Sequence, residues 1–353
     1  MKPKVIILYN QLFHYRIPVL NILAKQCDLT VTYSEGNEVS VPDNVEFKVI
    51  YLKPIFKSER FIIQRENIRN LVKDYDVVIA YGDITWLKFS TLPWFNKKKV
   101  IFWTLGVSAS YDSGYDVNST WDKLRAFFYR QADAMVFYTT HPIDKYEKMG
   151  IPREKMFEAP NTVAVEHINE EINKDSLLFI GTLYRQKGIQ YLLDAYKQNI
   201  DNPNLVPLNI IGKGPDSEYI SNWISENNMS DMIKMQGAIY NNSEKAKYFA
   251  RAYACISPLQ AGLSVLESMG YGVPFVTIKN AITGGELFNI HHGIDGITMD
   301  DVSELPKIVA DIFDNKNKYI EYGKQAKVFY DNNRTPKHMA EGLWEAIQYV
   351  LNK

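Results

Sequence analysis

Two doubly wound α/β domains are what this sequence predicts, on three observations. Short β-branched runs alternate with helical patterns through most of the chain, as in βαβ units that build parallel sheets. The length of 353 residues exceeds one comfortable core and suits two. Around Ala159-Pro160-Asn161-Thr162 the pattern breaks into a polar stretch, Glu166 to Asp175, before a second strand–helix series begins.

The elements follow in order. The first half offers strands at Val5–Leu8, Leu29–Tyr33, Val45–Ile50, Val77–Ala80, Val100–Trp103 and Met135–Tyr138. Between them Glu59–Lys73 is expected to be an amphipathic helix, because Phe61, Ile62, Arg65, Ile68, Leu71 and Val72 follow three-four spacing. The second half offers strands at Leu177–Ile180, Leu208–Ile211, Ile233–Gln236, Ala254–Ser257 and Phe275–Thr277, then helix from about Ile320. The expected division is residues 1–165, residues 166–330, and a helix over 331–353 packing back toward the N-terminal domain. The two domains are expected to face each other across a cleft, with ligands at the carboxyl ends of the strands.

Composition excludes some functions. A net charge of −1 lacks the basic excess of a nucleic-acid binder. Before residue 165 there are 22 Lys+Arg against 18 Asp+Glu, and after it 18 against 23, which matches the totals of 40 and 41. A mildly basic first half suits an anionic acceptor or membrane surface. Cys27 and Cys255 lie far apart in apolar runs, without a CxxC partner or His cluster, and read as buried thiols in a reducing compartment. Val5-Ile6-Ile7-Leu8 is too short for a signal peptide, and no run reaches the roughly 18 apolar residues of a spanning helix. A cytoplasmic protein is expected, at most touching the inner face of the plasma membrane.

The most informative segment is Ser257-Pro258-Leu259-Gln260-Ala261-Gly262-Leu263-Ser264-Val265-Leu266-Glu267-Ser268-Met269-Gly270-Tyr271-Gly272-Val273-Pro274. It reads as strand end, small-residue loop, short helix, glycine stop and new strand. Amides at such a helix start can bind phosphate. Ser264 with Glu267 three residues on is equally a plain capping box. This segment resembles the "G-L-x-x-x-E-x-M-x-x-G-x-P" signature of family 4 (group 1) glycosyltransferases, which are retaining enzymes with the GT-B fold. The resemblance implies that the amides of Gly262, Leu263 and Ser264 hold a donor pyrophosphate while Glu267 grips the ribose hydroxyls. It also marks a departure: Leu259 stands where many members carry a sugar-binding Glu, with Gln260 beside it as a neutral substitute.

Leu177-Leu178-Phe179-Ile180-Gly181-Thr182-Leu183-Tyr184-Arg185-Gln186-Lys187-Gly188 resembles the family's "F-x-G-R-L-x-x-x-K-G" turn. Lys187 falls on the lysine that neutralises the departing diphosphate. Thr182 replaces the family arginine, and Arg185 is the candidate to assist. The alternative is two cations on a solvated helix start, a place electrostatics disfavours. Gly212, in Gly212-Lys213-Gly214-Pro215, resembles the "G-x-G-P" turn, and Ile239, in Gly237-Ala238-Ile239, sits where the nucleobase is read. Gly284-Gly285-Glu286 and His292-Gly293-Ile294-Asp295-Gly296 resemble the segment that closes the donor pocket. The motifs span Leu177–Gly296 in family order, while the N-terminal half matches loosely.

The loop after the first strand, Asn10-Gln11-Leu12-Phe13-His14-Tyr15-Arg16, offers His14, Tyr15 and Arg16 as acceptor or phosphate contacts by the same resemblance. Leu105-Gly106 replaces a usual His-Gly. Asp112, Asp116 and Asp122 read as solvated loops and caps. With no D-x-D pair after a strand, neither a metal nor another cofactor is expected. The implied donor is a nucleoside diphosphate sugar, UDP rather than GDP, and the implied acceptor a glycan or lipid-linked glycan in bacterial polysaccharide or lipopolysaccharide assembly. Pro93-Trp94-Phe95-Asn96-Lys97-Lys98-Lys99 and Ala126-Phe127-Phe128-Tyr129-Arg130 read either as core-packing helix ends with a solvated turn or as anchors to an anionic membrane. A GT-B epimerase would need carboxylates where Leu259 stands, and a nicotinamide dehydrogenase would need G-x-G-x-x-G after the first strand. A catalytically impaired sugar-nucleotide-binding scaffold is the remaining alternative, given the missing Glu, Arg and His.

Overall fold

A computed structural model describes residues 2–35, 43–57, 62–95, 98–110, 114–116, 120–166 and 172–353. The chain forms two compact units. Unit 1 comprises 1–108, 116–161 and Pro336–Lys353, and unit 2 comprises Ala109–Tyr115 and Thr162–Thr335.

Unit 1 is built on a seven-stranded parallel sheet, in spatial order Met156–Glu158, Ala134–Phe137, Lys99–Thr104, Val77–Tyr81, Lys4–Leu8, Asp28–Tyr33 and Lys48–Tyr51. The central strands are apolar because both faces are covered. Ile6 and Leu8 face one core with Val78, Phe102 and Tyr146. Val5 and Ile7 face the other, closed by Met339, Leu343, Ile347 and Val350 of the helix Pro336–Leu351. Proline opens that helix, where its missing N–H costs nothing. Gly342 lets its backbone touch the strand Met156–Glu158, since a Cβ there would lie 2.0 Å from the Glu158 carbonyl oxygen.

Unit 2 repeats the design with six parallel strands, in order Ile233–Gly237, Leu208–Ile211, Ser176–Ile180, Ala252–Ile256, Phe275–Ile278 and Gly296–Met299. Leu177 and Phe179 enter one core and Leu178 and Ile180 the other. A short hairpin, Ala109–Ser110 with Gly114–Tyr115, comes from the first half of the sequence yet belongs to this unit, where Tyr115 meets Phe288 edge-on at 5.3 Å.

The expected α/β class and most strands are present. The helix expected over Glu59–Lys73 is not. Ile62–Gln64 is a strand antiparallel to Pro54–Lys57, with Ile62 and Gln64 buried on alternate positions. Only Ile68–Leu71 is helical, capped by Asn67, whose side chain accepts from the Asn70 amide at 3.2 Å. The three-four spacing mixed a two-residue period with one helical turn; Phe61 lies outside the described residues. The strand expected from Val45 begins at Lys48, and Met156–Glu158 and Gly296–Met299 were not anticipated.

Candidate active site

In unit 2 the chain leaves the strand Ser176–Ile180 toward one side of the sheet, through Leu208–Ile211 to Ile233–Gly237, and then crosses back to Ala252–Ile256 on the other side. That reversal lies at the carboxyl ends of the two central strands, where ligands bind in sheets of this kind. Both predicted loops start there. Leu259 donates its amide to the Lys187 carbonyl at 3.2 Å, and the Tyr184 hydroxyl donates to Gln260 Oε1 at 2.8 Å. Gly181, Thr182, Arg185, Lys187, Gln260, Gly262, Leu263 and Ser264 therefore cluster at one end of the sheet, with Gly212 just past the end of the adjoining strand.

Lys187 is the electrostatic centre of the cluster. Its side chain is 8% exposed, and its Nζ lies 6.0 Å from the Phe179 ring centroid and 5.9 Å from that of Tyr184. Among the described residues no carboxylate pairs with it. Burial lowers its pKa to about 8, because a cation out of water without a counter-ion is disfavoured. It is thus not a cation on a solvated helix start. The amine lies over Gly181, where a Cβ would come within 2.5 Å of Nζ. Gly212 supports that backbone in turn, since a Cβ there would come within 1.9 Å of the Gly181 oxygen. Arg185 and Thr182 are exposed.

The helix Leu263–Gly270 follows the loop whose Leu259 amide bonds the Lys187 carbonyl. Its N-cap is Gly262, not Ser264, and no side chain caps it. The capping box read from Ser264 and Glu267 is therefore absent: Ser264 lies inside the first turn, and Glu267 is engaged elsewhere. The amides of Leu263 and Ser264 have no intrahelical acceptor and no capping oxygen, which suits an anion. Glu267 is 8% exposed and pairs through Oε1 with Lys245 Nζ, from the helix Asn242–Arg251. Sequence reasoning missed Lys245, which lies 22 residues away on a face that reads as solvated.

Leu259 packs on Gly188, where a Cβ would lie 2.5 Å from Leu259 Cγ, so that position presents an apolar side chain to the turn. Ile239 is half-buried against the core. Glu286 is 5% exposed and turns back to accept the Gly284 amide at 2.9 Å. Asp295 is buried and braces the loop by accepting the His291 amide, with its other oxygen 2.6 Å from His291 Nδ1.

In unit 1, His14 is exposed and Tyr15 half-buried within the turn His14–Arg16. Arg16 is 3% exposed, with its guanidinium 5.1 Å from the ring centroids of Tyr15 and Tyr138 and 5.6 Å from that of Trp103. One of its terminal nitrogens lies 2.9 Å from Met339 Sδ. Cation–π packing thus holds Arg16, expected at an acceptor or phosphate, inside unit 1. Asp122, read as solvated, is 2% exposed and pairs with Arg125 at 2.7 Å and Lys145 at 2.8 Å. Asp116 pairs with Lys145 and, at 2.8 Å, with His141. Asp112 lies outside the described residues.

Comparison with known proteins concerns the fold and the family. Residues 174–315 match the profile of the family described as glycosyl transferases group 1. The D-rhamnosyltransferase WbpZ of Pseudomonas aeruginosa is 28% identical over 178 residues, 49% of this chain and 41% of that protein. The glycogen synthase of Thermodesulfovibrio yellowstonii is 26% identical over 52% of this chain and 37% of that protein. The chain spans about half the length of the first curated relatives it matches, or less. Among solved structures, HepE of Anabaena in complex with UDP superposes with a TM-score of 0.71 at 14% identity, covering 99% of this chain and 100% of that one. A glycosyltransferase of Rickettsia africae superposes with 0.74 at 12% identity, covering 100% and 99%. The chain has the GT-B fold, and its segment 174–315 is similar to the group 1 glycosyltransferases.

Proposed function

We propose that this protein transfers a sugar from a nucleoside diphosphate sugar to a glycan or lipid-linked acceptor, with retention and without a metal. One observation carries the reading: Lys187 is buried without a carboxylate partner among the described residues, and its carbonyl is bonded by Leu259 of the loop that leads to the uncapped start of Leu263–Gly270. A cation held this way is paired only when an anion arrives. As the bond between the anomeric carbon and the diphosphate oxygen breaks, charge grows on the diphosphate. Lys187, the amides of Leu263 and Ser264, and exposed Arg185 stand ready to neutralise it. Glu267 accepts from the ribose diol, Ile239 borders the base, and Gln260 with Tyr184 offers polar contact to the sugar. His14 and Tyr15 are the acceptor-side candidates. The departing diphosphate takes the proton of the acceptor hydroxyl on the same face, so no side-chain base is required.

UDP is the proposed nucleotide, supported by the UDP complex of HepE, and polysaccharide or lipopolysaccharide assembly the proposed setting. The buried free thiols Cys27 and Cys255 support a reducing, cytoplasmic compartment. The test is thermal-shift binding of UDP, GDP, ADP, CMP and their sugar conjugates to wild type and Glu267→Ala. A ligand that binds the folded state raises its melting temperature. A shift with one nucleotide that vanishes in Glu267→Ala supports the reading, and no shift at millimolar nucleotide overturns it. Leu259 on Gly188 and Thr182 in the arginine position favour a second reading, a sugar-nucleotide-binding scaffold without catalysis. Turnover of any donor removes it.

A further inference from the structure

One face of unit 1 is built unlike an ordinary solvated surface. Trp94 is 37% exposed, Phe95 58% and Phe127 52%. They form one ridge: Trp94 lies 5.7 Å from Phe127 and 4.9 Å from Phe128, centroid to centroid. Leu124 and Trp121, one and two turns earlier on the helix Thr120–Tyr129, extend it. The acidic residue of that helix, Asp122, is turned inward and paired, leaving Lys123 as its exposed charge, with Arg130 exposed just after its end.

Beside the ridge lies a groove of about 380 Å3, lined by Arg65, Asn67, Ile68, Arg69, Lys88 and Thr91. Three of these are cations and none is a carboxylate. The groove and the ridge are joined, because the Arg69 guanidinium sits 4.1 Å from the Phe95 ring centroid. Lys88 is fixed in place by donating to the carbonyls of Gln64 at 2.6 Å and Glu66 at 2.9 Å. The charge bias is written into the sequence as well: residues 84–111 hold four lysines and no acidic residue. One of the four, Lys99, pairs with Asp133 at 3.7 Å, and both are partly exposed. Among the described residues no helix is long and apolar enough to cross a membrane.

We propose that this face docks on an anionic phospholipid surface, with phosphate headgroups in the groove and the aromatic ridge at headgroup level. Tryptophan is enriched at that depth of a bilayer, phenylalanine and leucine bury their apolar faces just below it, and neighbouring cations add attraction to acidic lipid. An acidic protein partner would satisfy the cations but would not bury the row of exposed apolar rings. The inference rests on unit 1 alone and stands whether or not unit 2 transfers sugar.

The experiment is flotation of the full chain with vesicles of phosphatidylcholine alone and of phosphatidylcholine with phosphatidylglycerol. Wild type floats with the anionic vesicles only, and less as salt rises. Arg69→Glu changes two charge units, each about fivefold in binding, so its partition falls roughly 25-fold. Phe95→Ser with Phe127→Ser falls at least about tenfold while circular dichroism and melting hold. Should the ring variant fold poorly, Arg69→Glu, at an exposed position, reads the same question alone. Lys307→Glu, a charge reversal in unit 2, leaves flotation unchanged. Four results overturn the proposal: no flotation of wild type, flotation unaltered in Arg69→Glu, full competition by inorganic phosphate, or a dimer in sedimentation that the ring substitutions dissolve and vesicles do not.

Discussion

At the scale of single residues the proposed chemistry turns on Lys187. Holding it charged with a pKa near 8 costs the folded state on the order of 3 kcal/mol. Lys187→Met is therefore expected to melt higher than wild type while losing nucleotide binding, a pairing that a purely structural lysine would not give. The pH dependence follows with its sign. Lys187 and Lys174, both lowered to about 8 by burial, bind fewer protons in the folded than in the unfolded chain between about pH 8 and 10.5. Stability rises with pH across that window. Affinity for a diphosphate runs the other way, flat from about pH 7, where the terminal phosphate is ionised, to about pH 8 and falling above it by up to roughly tenfold per unit. Titration calorimetry across pH reads this, and Lys187→Arg is expected to remove the fall.

Glu267 and Lys245 form the second residue-scale test. Lys245→Met leaves a carboxylate that is 8% exposed without its cation, at an expected cost of about 1–3 kcal/mol in denaturant unfolding. Weaker nucleotide binding is expected with it, and Lys245→Arg should restore both. The family resemblance singled out Lys187 and Glu267, since each lies within one local motif. It could not locate Lys245, whose partner is made by folding, nor see that Arg16 turns inward, because burial among Tyr15, Trp103 and Tyr138 is a tertiary fact.

At the scale of elements the glycines separate folding from binding. Gly212 has φ +155° and its Cβ would strike the Gly181 oxygen, so Gly212→Ala is expected to cost on the order of 3 kcal/mol. Gly262 has φ −104°, and nothing lies within 4 Å of its would-be Cβ. Gly262→Ala should thus stay within about 0.5 kcal/mol of wild-type stability. If phosphate docks on the amides that follow, the same change weakens nucleotide binding by an order of magnitude, about 1.4 kcal/mol. Chemical unfolding and calorimetry on the two variants check both halves. The long strands were legible because each is apolar on both faces, as Val5–Leu8 and Leu177–Ile180 show. Ile62–Gln64 was not, because three residues beside one helical turn mimic a helical period. Gly296–Met299 was hidden by its glycine start and its half-buried threonine.

At the scale of the whole molecule, the chain starts in unit 1, passes to unit 2 at Asn161–Thr162, and supplies unit 1 again from Pro336. The last helix is part of the unit 1 core through Met339, Leu343 and Ile347. Ending the chain at Thr335 is expected to unfold unit 1 while unit 2 keeps its own nucleotide-dependent melting, so calorimetry should resolve one transition from the other. Hydrogen exchange in the intact chain gives the complementary reading: nucleotide should protect 181–188 and 259–267 and leave the unit 1 strands unchanged. The hairpin Ala109–Tyr115 marks the limit of sequence reading at this scale, since a short segment with no apolar period gave no sign of joining unit 2.

The most direct test of a diphosphate site at Lys187 is calorimetric titration of UDP and uridine into wild type and Lys187→Met near pH 7. Wild type is expected to bind UDP far more tightly than uridine, and Lys187→Met to erase most of the difference. Equal binding of UDP and uridine by wild type, or an undiminished preference for UDP in Lys187→Met, would contradict such a site.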